Sequence, residues 1–422
     1  MFDTKTVKFF TLGCKVNQYE TQVMREQLLH AGFKEADNGK ADVYIINTCT
    51  VTSRADRKSL NYIKKAFKEN SSATVLAVGC LAEKDRDAIA ALGKIDIIAG
   101  NEAKKNIAAL INSKNESTLQ RESQINFFAG HSRAFIKIQD GCNNHCAYCK
   151  VPHVRGKSRS RDFEEIRDEA QRLIKNGYKE LVLCGICLGS YGRDLQPQRT
   201  LVEVIDAIEA IAGDFRIRLS SIEARDITDD LIVCMADSKR LCHHLHIPFQ
   251  SGDDYILQRM QRRYSAADYK KVVDALKERV PDIAITTDIL VGFPGEEEEH
   301  FLNTLAFLRH ASPSRVHVFP FSPRKGTAAF GFSERVPMKE IKARIEKVNK
   351  LASNSSYGYR KQFLYKKLRV LFEEKKDRKT GFSKGYTDTY IEVVCKNLNG
   401  LPNKLSQVII AKVTPSHTIA RL

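Results

Sequence analysis

Cys142, Cys146 and Cys149 stand within eight residues, in the segment Gly141-Cys142-Asn143-Asn144-His145-Cys146-Ala147-Tyr148-Cys149. Three residues separate the first pair and two the second, directly after an apolar run at 135–139. In a reducing compartment, thiols so placed read as metal ligands rather than as disulfide partners. A tight loop with three ligands can hold three irons of a cubane cluster and leave the fourth open, where an ordinary ferredoxin site would ligate it. Chemistry at an open iron is the first expectation. The alternative is zinc, which wants four ligands; no second cysteine pair follows at finger distance, so His145 or His153 would have to complete that site.

Cys14, Cys49 and Cys80 lie far apart in the chain but share a position. Each follows a short strand-like run, at 7–12, 43–46 and 75–78, and a fourth run at 95–98 precedes Gly100-Asn101. Amphipathic helical patterns separate the runs, the alternation of an open parallel α/β sheet. Such a sheet lines up its strands' carboxyl ends along one ligand-binding edge. If the strands are neighbours, the three thiols meet there. Singly, each cysteine reads as a small buried hydrophobe; in one shared position they read as a second three-thiolate site. Asn17 and Asn47 stand beside these thiols to orient a cluster or substrate, or, for Asn47, to cap a turn or helix.

The loop trio needs its own scaffold. A polar stretch at 112–124 reads as a linker. Six strand candidates follow, at 135–138, 180–184, 216–220, 244–247, 283–290 and 315–319, with helical patterns between them, which predicts a partial (β/α)6 barrel with its site at the carboxyl ends. Asp162 and Glu165 read as a capping box and Gly177 as the end of that helix. The strand ends carry a glycine-rich loop at 184–192, Ser220-Ser221-Ile222-Glu223, a segment at 246–252 holding Gln250, a turn at 288–296, and a segment at 319–327. There Arg324 is a candidate contact for a substrate phosphate. Cys184 and Cys187 read as packing residues lining the site, and Cys234, Cys242 and Cys395 as structural. After a basic helix at 339–364, strand runs at 367–372, 390–394 and 408–413 predict a small all-β, OB-like barrel. Tyr386 and Tyr390, amid lysines, are either a base-stacking surface or core.

Length and charge set the frame. The 422 residues suit about three domains, and 42% hydrophobic content is ordinary for a globular protein. Sixty-eight basic against 51 acidic residues give a net charge of +17, which points to a polyanionic partner. Four of the seven residues from Arg155 to Arg161 are basic, Arg155 and Arg159 among them, which suits phosphate recognition in RNA or in a cofactor. Residues 1–8 lack the apolar core of a signal peptide, no apolar run approaches the ~20 residues that cross a bilayer, and eleven cysteines form an odd set. A cytoplasmic location without membrane attachment is expected.

The three-then-two cysteine spacing with Tyr148 before the last thiol resembles the radical S-adenosylmethionine (radical SAM) superfamily. That resemblance implies a [4Fe-4S] cluster on Cys142, Cys146 and Cys149, whose unique iron chelates the methionyl amino and carboxylate groups of SAM. It further implies cofactor contacts at Tyr148, Gly185, Glu223, Gln250, Gly292 and Glu296. The run Thr11-Leu12-Gly13-Cys14-Lys15-Val16-Asn17-Gln18-Tyr19-Glu20, with Asn47-Thr48-Cys49 and Val78-Gly79-Cys80, resembles the N-terminal domain of the methylthiotransferases. Its Gly-Cys-Lys-Val-Asn-Gln form is similar to the branch acting on N6-threonylcarbamoyladenosine beside the tRNA anticodon. In that family the three matching cysteines hold an auxiliary [4Fe-4S] cluster. The C-terminal pattern resembles the TRAM domain, an RNA-binding barrel.

The implied domains are 1–125, 126–355 and 356–422. The implied partners are a tRNA anticodon stem-loop and a flavodoxin- or ferredoxin-type electron donor. Two alternatives stand: the same chemistry on isopentenyladenosine in tRNA or on a ribosomal-protein aspartate, or a non-catalytic, zinc-stabilised tRNA-binding protein.

Overall fold

The computed structural model describes residues 4–36, 39–93, 95–111, 124–396 and 402–422. The linker expected at 112–124 lies, apart from Gln124, outside them. The chain divides into two compact units, one of residues 1–129, 140–144 and 149–158, the other of 130–139, 145–148 and 159–422.

The first unit is built on a five-stranded, all-parallel sheet in the order Lys34–Glu35, Thr6–Thr11, Val43–Thr48, Thr74–Gly79, Ile97–Ala99. Period-two alternation divides the side chains between two cores. Val43, Ile45, Leu76 and Val78 pack with Met24, Leu28 and Ile107 on one face; Tyr44, Ile46, Val75 and Ala77 pack with Ile63, Ala66 and Leu81 on the other. Both faces are covered, as a parallel sheet requires. The winding reverses between Thr6–Thr11 and Val43–Thr48, and at such a switch point the loops leaving the two strands diverge and open a crevice. Cys14 and Cys49 stand there. The two-residue edge strand Lys34–Glu35 was not foreseen, and the last strand begins at Ile97 rather than at 95.

In the second unit all six expected strands are present. Arg216–Leu219, Glu180–Cys184 and Ala134–Lys137 form one parallel sheet, and His244–His246, Ala284–Val291 and Arg315–Pro320 another. Parallel bridges from Ile217 to Leu241 and from Ser221 to His246 join them into an open array. Asp162 caps helix Phe163–Lys175 by accepting the Glu165 amide, and Gly177 follows at φ +93°.

The C-terminal segment is a closed barrel in the order Lys367–Phe372, Ser383–Thr387, Glu392–Cys395, Thr418–Arg421, Leu405–Val413. Five strands replace the three expected. Tyr390, at φ +61°, is in a turn, so the strand expected at 390 starts at Glu392.

Arginines from the six-stranded array meet this barrel. Arg216 donates to the Tyr386 carbonyl at 2.9 Å, and Arg218 donates to those of Thr387 and Asp388 at 2.9 and 2.8 Å. Arg133 stacks 4.9 Å from the Tyr386 ring and pairs with Glu373 at 2.8 Å. The fully buried Glu180 takes charge from all three arginines.

Candidate active site

In the first unit two glycines let strand ends close up. Gly13, at φ +95°, turns the chain into helix Lys15–His30, and a Cβ there would lie 2.8 Å from Cys49 Sγ. Gly79, at φ +97°, leads into Cys80, and a Cβ there would lie 2.7 Å from Asn47 Oδ1. Only glycine serves at either point. The thiols consequently feel one another: burial pushes the Cys49 pKa up to about 12 against a bond from the Val51 amide, and the Cys14 and Cys80 sulfurs add to the rise. Cys14 is solvent-accessible, yet the protein around it raises its pKa against the pull of Arg155.

Behind the trio runs a buried polar network. Arg155 donates to Glu20 at 2.6 and 3.0 Å, to both Asp140 oxygens at 3.1 Å, and to Asn17 Oδ1. Lys104 donates to Glu20 at 2.6 Å and to Asn101 at 2.8 Å, and the Asn101 oxygen lies 3.9 Å from Cys80 Sγ. Asn17 Nδ2 bonds the Leu12 and Thr48 carbonyls at 2.7 and 3.0 Å, tying two strand ends together. Asn47 Nδ2 bonds the Asn17 carbonyl and Thr21 Oγ1, so it steadies that helix.

These contacts correct two expectations. Arg155, 4% exposed, has its guanidinium committed to internal acceptors instead of a phosphate, and Asn17 is a staple rather than a substrate contact. Sequence reasoning missed Glu20 and Lys104, whose charged partners lie more than 80 residues away.

The loop of the second trio supplies donors to sulfur. The Asn144 and Val151 amides each lie 3.4 Å from a thiol, those of Cys142 and Cys149 respectively. Gly141, at φ +72°, has no room for a side chain, since its Cβ would lie 2.0 Å from the Lys157 carbonyl oxygen. In the second unit Arg262 Nη1 approaches Cys146 Sγ at 3.6 Å. Ala147 is pinned there by bonds with Met260 and Ala329, and the Tyr148 ring meets Phe293 edge-on at 6.5 Å. Nothing local in the sequence marks Arg262.

At the strand ends of the second unit, Gly185 packs on Gln139, whose Oε1 would be 2.9 Å from a Cβ. Gln250 holds φ +67° and bonds through its backbone to Asp288 and Leu290. Gly292, at φ +75°, is pressed against Ile341.

Two carboxylates have internal duties. Glu223 receives both Arg262 nitrogens at 3.0 and 2.7 Å and the Tyr264 hydroxyl at 2.6 Å. Glu296 accepts the Gly292 amide at 2.7 Å and Arg344 at 2.9 Å, so it braces its own turn. Arg324 is buried, and the half-buried Tyr386 sits in the junction between the six-stranded array and the barrel, bonding Glu392 at 2.7 Å. Arg159 is exposed.

Residues 136–308 match the Radical SAM superfamily, and residues 6–100 match the uncharacterized protein family UPF0004. The chain is 37% identical to the threonylcarbamoyladenosine tRNA methylthiotransferase MtaB of Bacillus subtilis, over 96% of this chain and 94% of that one. The chain belongs to the radical SAM methylthiotransferase family. The Thermotoga maritima MtaB is 39% identical over 92% of this chain and 91% of its own. The tRNA-2-methylthio-N(6)-dimethylallyladenosine synthase of Clostridium tetani is 34% identical over 96% and 92%. Among solved structures, the radical SAM methyltransferase TsrM of Kitasatospora setae shares the fold, with a TM-score of 0.55 at 12% identity over 75% of this chain and 73% of that one.

As a radical SAM methylthiotransferase, the family member takes SAM and [4Fe-4S] clusters as cofactors. The residues fit that chemistry. A cubane binds each thiolate through a different iron, so three thiols carried by one tight loop or by neighbouring strand ends suit it. Amide and guanidinium donors beside the loop thiols suit anionic ligands, whose outer partners tune the metal.

Proposed function

We propose that this protein methylthiolates carbon 2 of the N6-threonylcarbamoyladenosine adjoining a tRNA anticodon. The observation that carries the proposal is the placing of Cys14, Cys49 and Cys80 at three neighbouring strand ends in a chain that also bears the Cys142-Cys146-Cys149 loop. One trio serves radical formation and the other sulfur delivery. When bound, SAM and the clusters supply the hydrogen abstraction that acid-base groups cannot perform on an unactivated C–H bond.

The protein's own part is positioning and charge. Amides at Asn144 and Val151 and the guanidinium of Arg262 offset thiolate charge in the loop. Asn17, held by Arg155 and Lys104, fixes the strand ends that carry the other trio. Gly185, Gln250 and Gly292 shape the strand-end turns where SAM would be held, the Gln250 and Gly292 backbones through bonds of their own, and Tyr148 stands in the cysteine loop. Glu223 and Glu296 act one step back, through Arg262 and the Gly292 turn.

The C-terminal barrel, from about residue 356, acts as a TRAM-like RNA module behind a radical SAM domain of 126–355 and an auxiliary-cluster domain of 1–125. The exposed Arg159 is a candidate RNA contact. A flavodoxin- or ferredoxin-type protein supplies electrons. Among the described residues no helix is long and apolar enough to cross a membrane, in keeping with action on tRNA in the cytoplasm.

Nucleoside analysis of tRNA from a deletion strain tests the substrate. Threonylcarbamoyladenosine should persist without its methylthio group, and complementation should restore it. Loss of the methylthio group from isopentenyladenosine instead would move the chain to the other tRNA branch. Zinc without labile sulfide in protein purified without air would remove the catalytic reading.

A further inference from the structure

A polar cleft of about 150 Å³ opens in the second unit, where the C-terminal barrel meets the six-stranded array and helix Met338–Lys361. Arg315, Ser356, Arg360, Tyr390, Glu392 and Thr418 are among its walls. Arg315 heads strand Arg315–Pro320. At ~3.3 Å per residue its Cα is roughly 17 Å from the strand's carboxyl end, so the cleft is not the catalytic rim.

The cleft's charge is unbalanced. Among the described residues the Arg315 guanidinium makes no hydrogen bond or ion pair, and it lies 5.7 Å from the centre of the Tyr390 ring. Arg360 spends Nε on the Ser356 carbonyl, one Nη1 proton on Thr418 and one Nη2 proton on the Pro415 carbonyl, which leaves two N–H groups to spare. Burial, and then the like charge of Arg315, pull its pKa down. The one acid, Glu392, accepts the Tyr386 hydroxyl at 2.7 Å and faces Lys384 at 3.9 Å. Two guanidiniums without an acid between them, ringed by hydroxyls, are complementary to a phosphate.

We propose that this cleft takes a backbone phosphate of the bound RNA, with Arg315 as its chief cation and Arg360 and Ser356 beside it. The inference rests on the tRNA reading above and adds an anchor remote from the reacting base. A free phosphate shares the same chemistry, and the experiment separates the two.

Binding of an anticodon stem-loop RNA to the reconstituted holoenzyme is measured over a salt series for wild type, Arg315→Gln and Arg315→Lys. Each phosphate contact contributes about 0.7–0.9 to the slope of log K against log salt. Arg315→Gln should lower the slope by about one and weaken binding roughly tenfold, whereas Arg315→Lys should keep the slope. Should Arg315→Gln fail to fold, judged by iron content and circular dichroism, Ser356→Glu brings an acid into the cleft and should weaken binding likewise.

An unchanged slope in the folded variants overturns the inference while leaving tRNA as substrate. Inorganic phosphate whose 31P line broadens with wild type but not with Arg315→Gln, beside an unchanged RNA slope, assigns the cleft to a free anion and also overturns it. Failure of the wild type to bind the stem-loop at all sinks the tRNA reading itself.

Discussion

Glu180 offers the sharpest test of how the second unit is held together. Its carboxylate, fully buried, receives Arg216 Nε at 2.6 Å, Arg218 Nε and Nη2 at 2.9 and 3.2 Å, and Arg133 Nη1 at 3.5 Å. Glu180→Gln preserves shape and removes the charge. Breaking a buried ion pair from one side costs about 3–5 kcal/mol. Each guanidinium keeps another acceptor, in the barrel's carbonyls or in Glu373, so the lower end applies, ~3 kcal/mol or roughly a hundredfold in the unfolding constant.

The pH profile carries the sign. Burial alone would raise the Glu180 pKa, but Arg216, Arg218 and Arg133 outweigh it and hold the carboxyl well below its ordinary 4.5. A depressed folded pKa contributes stability that is complete above the unfolded value and is lost as pH falls through the folded one. Urea unfolding of wild type and variant should therefore differ by a constant amount between about pH 5 and 8, and the gap should narrow below about 4.5. A difference under about 1 kcal/mol, or a gap that widens in acid, would refute the reasoning.

Three further outcomes follow from the thiols and their supports. Cys14→Ala should leave SAM cleavage in place and abolish methylthiolated product, as read by 5'-deoxyadenosine release beside nucleoside analysis; continued product formation would detach Cys14 from sulfur delivery. Cys146→Ala should stop 5'-deoxyadenosine release, and persistence of that release would remove the loop from the chemistry. Arg155→Gln takes the guanidinium from Asp140, which keeps the Gly141 amide, and from Glu20, which keeps Lys104, so a loss of about 3 kcal/mol is expected in urea unfolding, with fewer irons retained per chain; a loss under about 0.5 kcal/mol would show that the network is idle.

Much of this architecture was legible because it depends on short-range pattern. Runs such as Val43–Thr48 and Thr74–Gly79 alternate between two cores, so their β-branched residues marked them as strands, and a cysteine after a strand could be placed at the sheet edge before any contact was known. What pattern could not supply was the short strand with little apolar content. Lys34–Glu35 lies wholly exposed at an edge, and Ser383–Thr387, reading Ser-Lys-Gly-Tyr-Thr, is a strand only because the barrel closes around it. Gly385 serves that closure, since a Cβ there would lie 2.5 Å from the Leu371 carbonyl oxygen. Its sequence says turn; its neighbours make it sheet.

The basic run from Arg155 to Arg161 shows why charge was the least legible signal. Composition counts cations but not the direction in which each points, and the members of this run part company. Lys157 and Arg159 are exposed. Arg155 is spent on Glu20, 135 residues earlier, and Arg161 on Glu169 at 2.6 Å and on the Lys137 carbonyl. A guanidinium committed to a buried carboxylate is neutralised within the fold, whereas Arg315, which among the described residues pairs with no acid and stands in a stretch with no basic run, is not. Phosphate affinity therefore follows from which cations lack an acid, and that is a property of contacts between distant segments. Where a pair such as Arg155 and Glu20 is present, the net charge of +17 exerts its pull on RNA elsewhere, through the cations that folding has left unmatched.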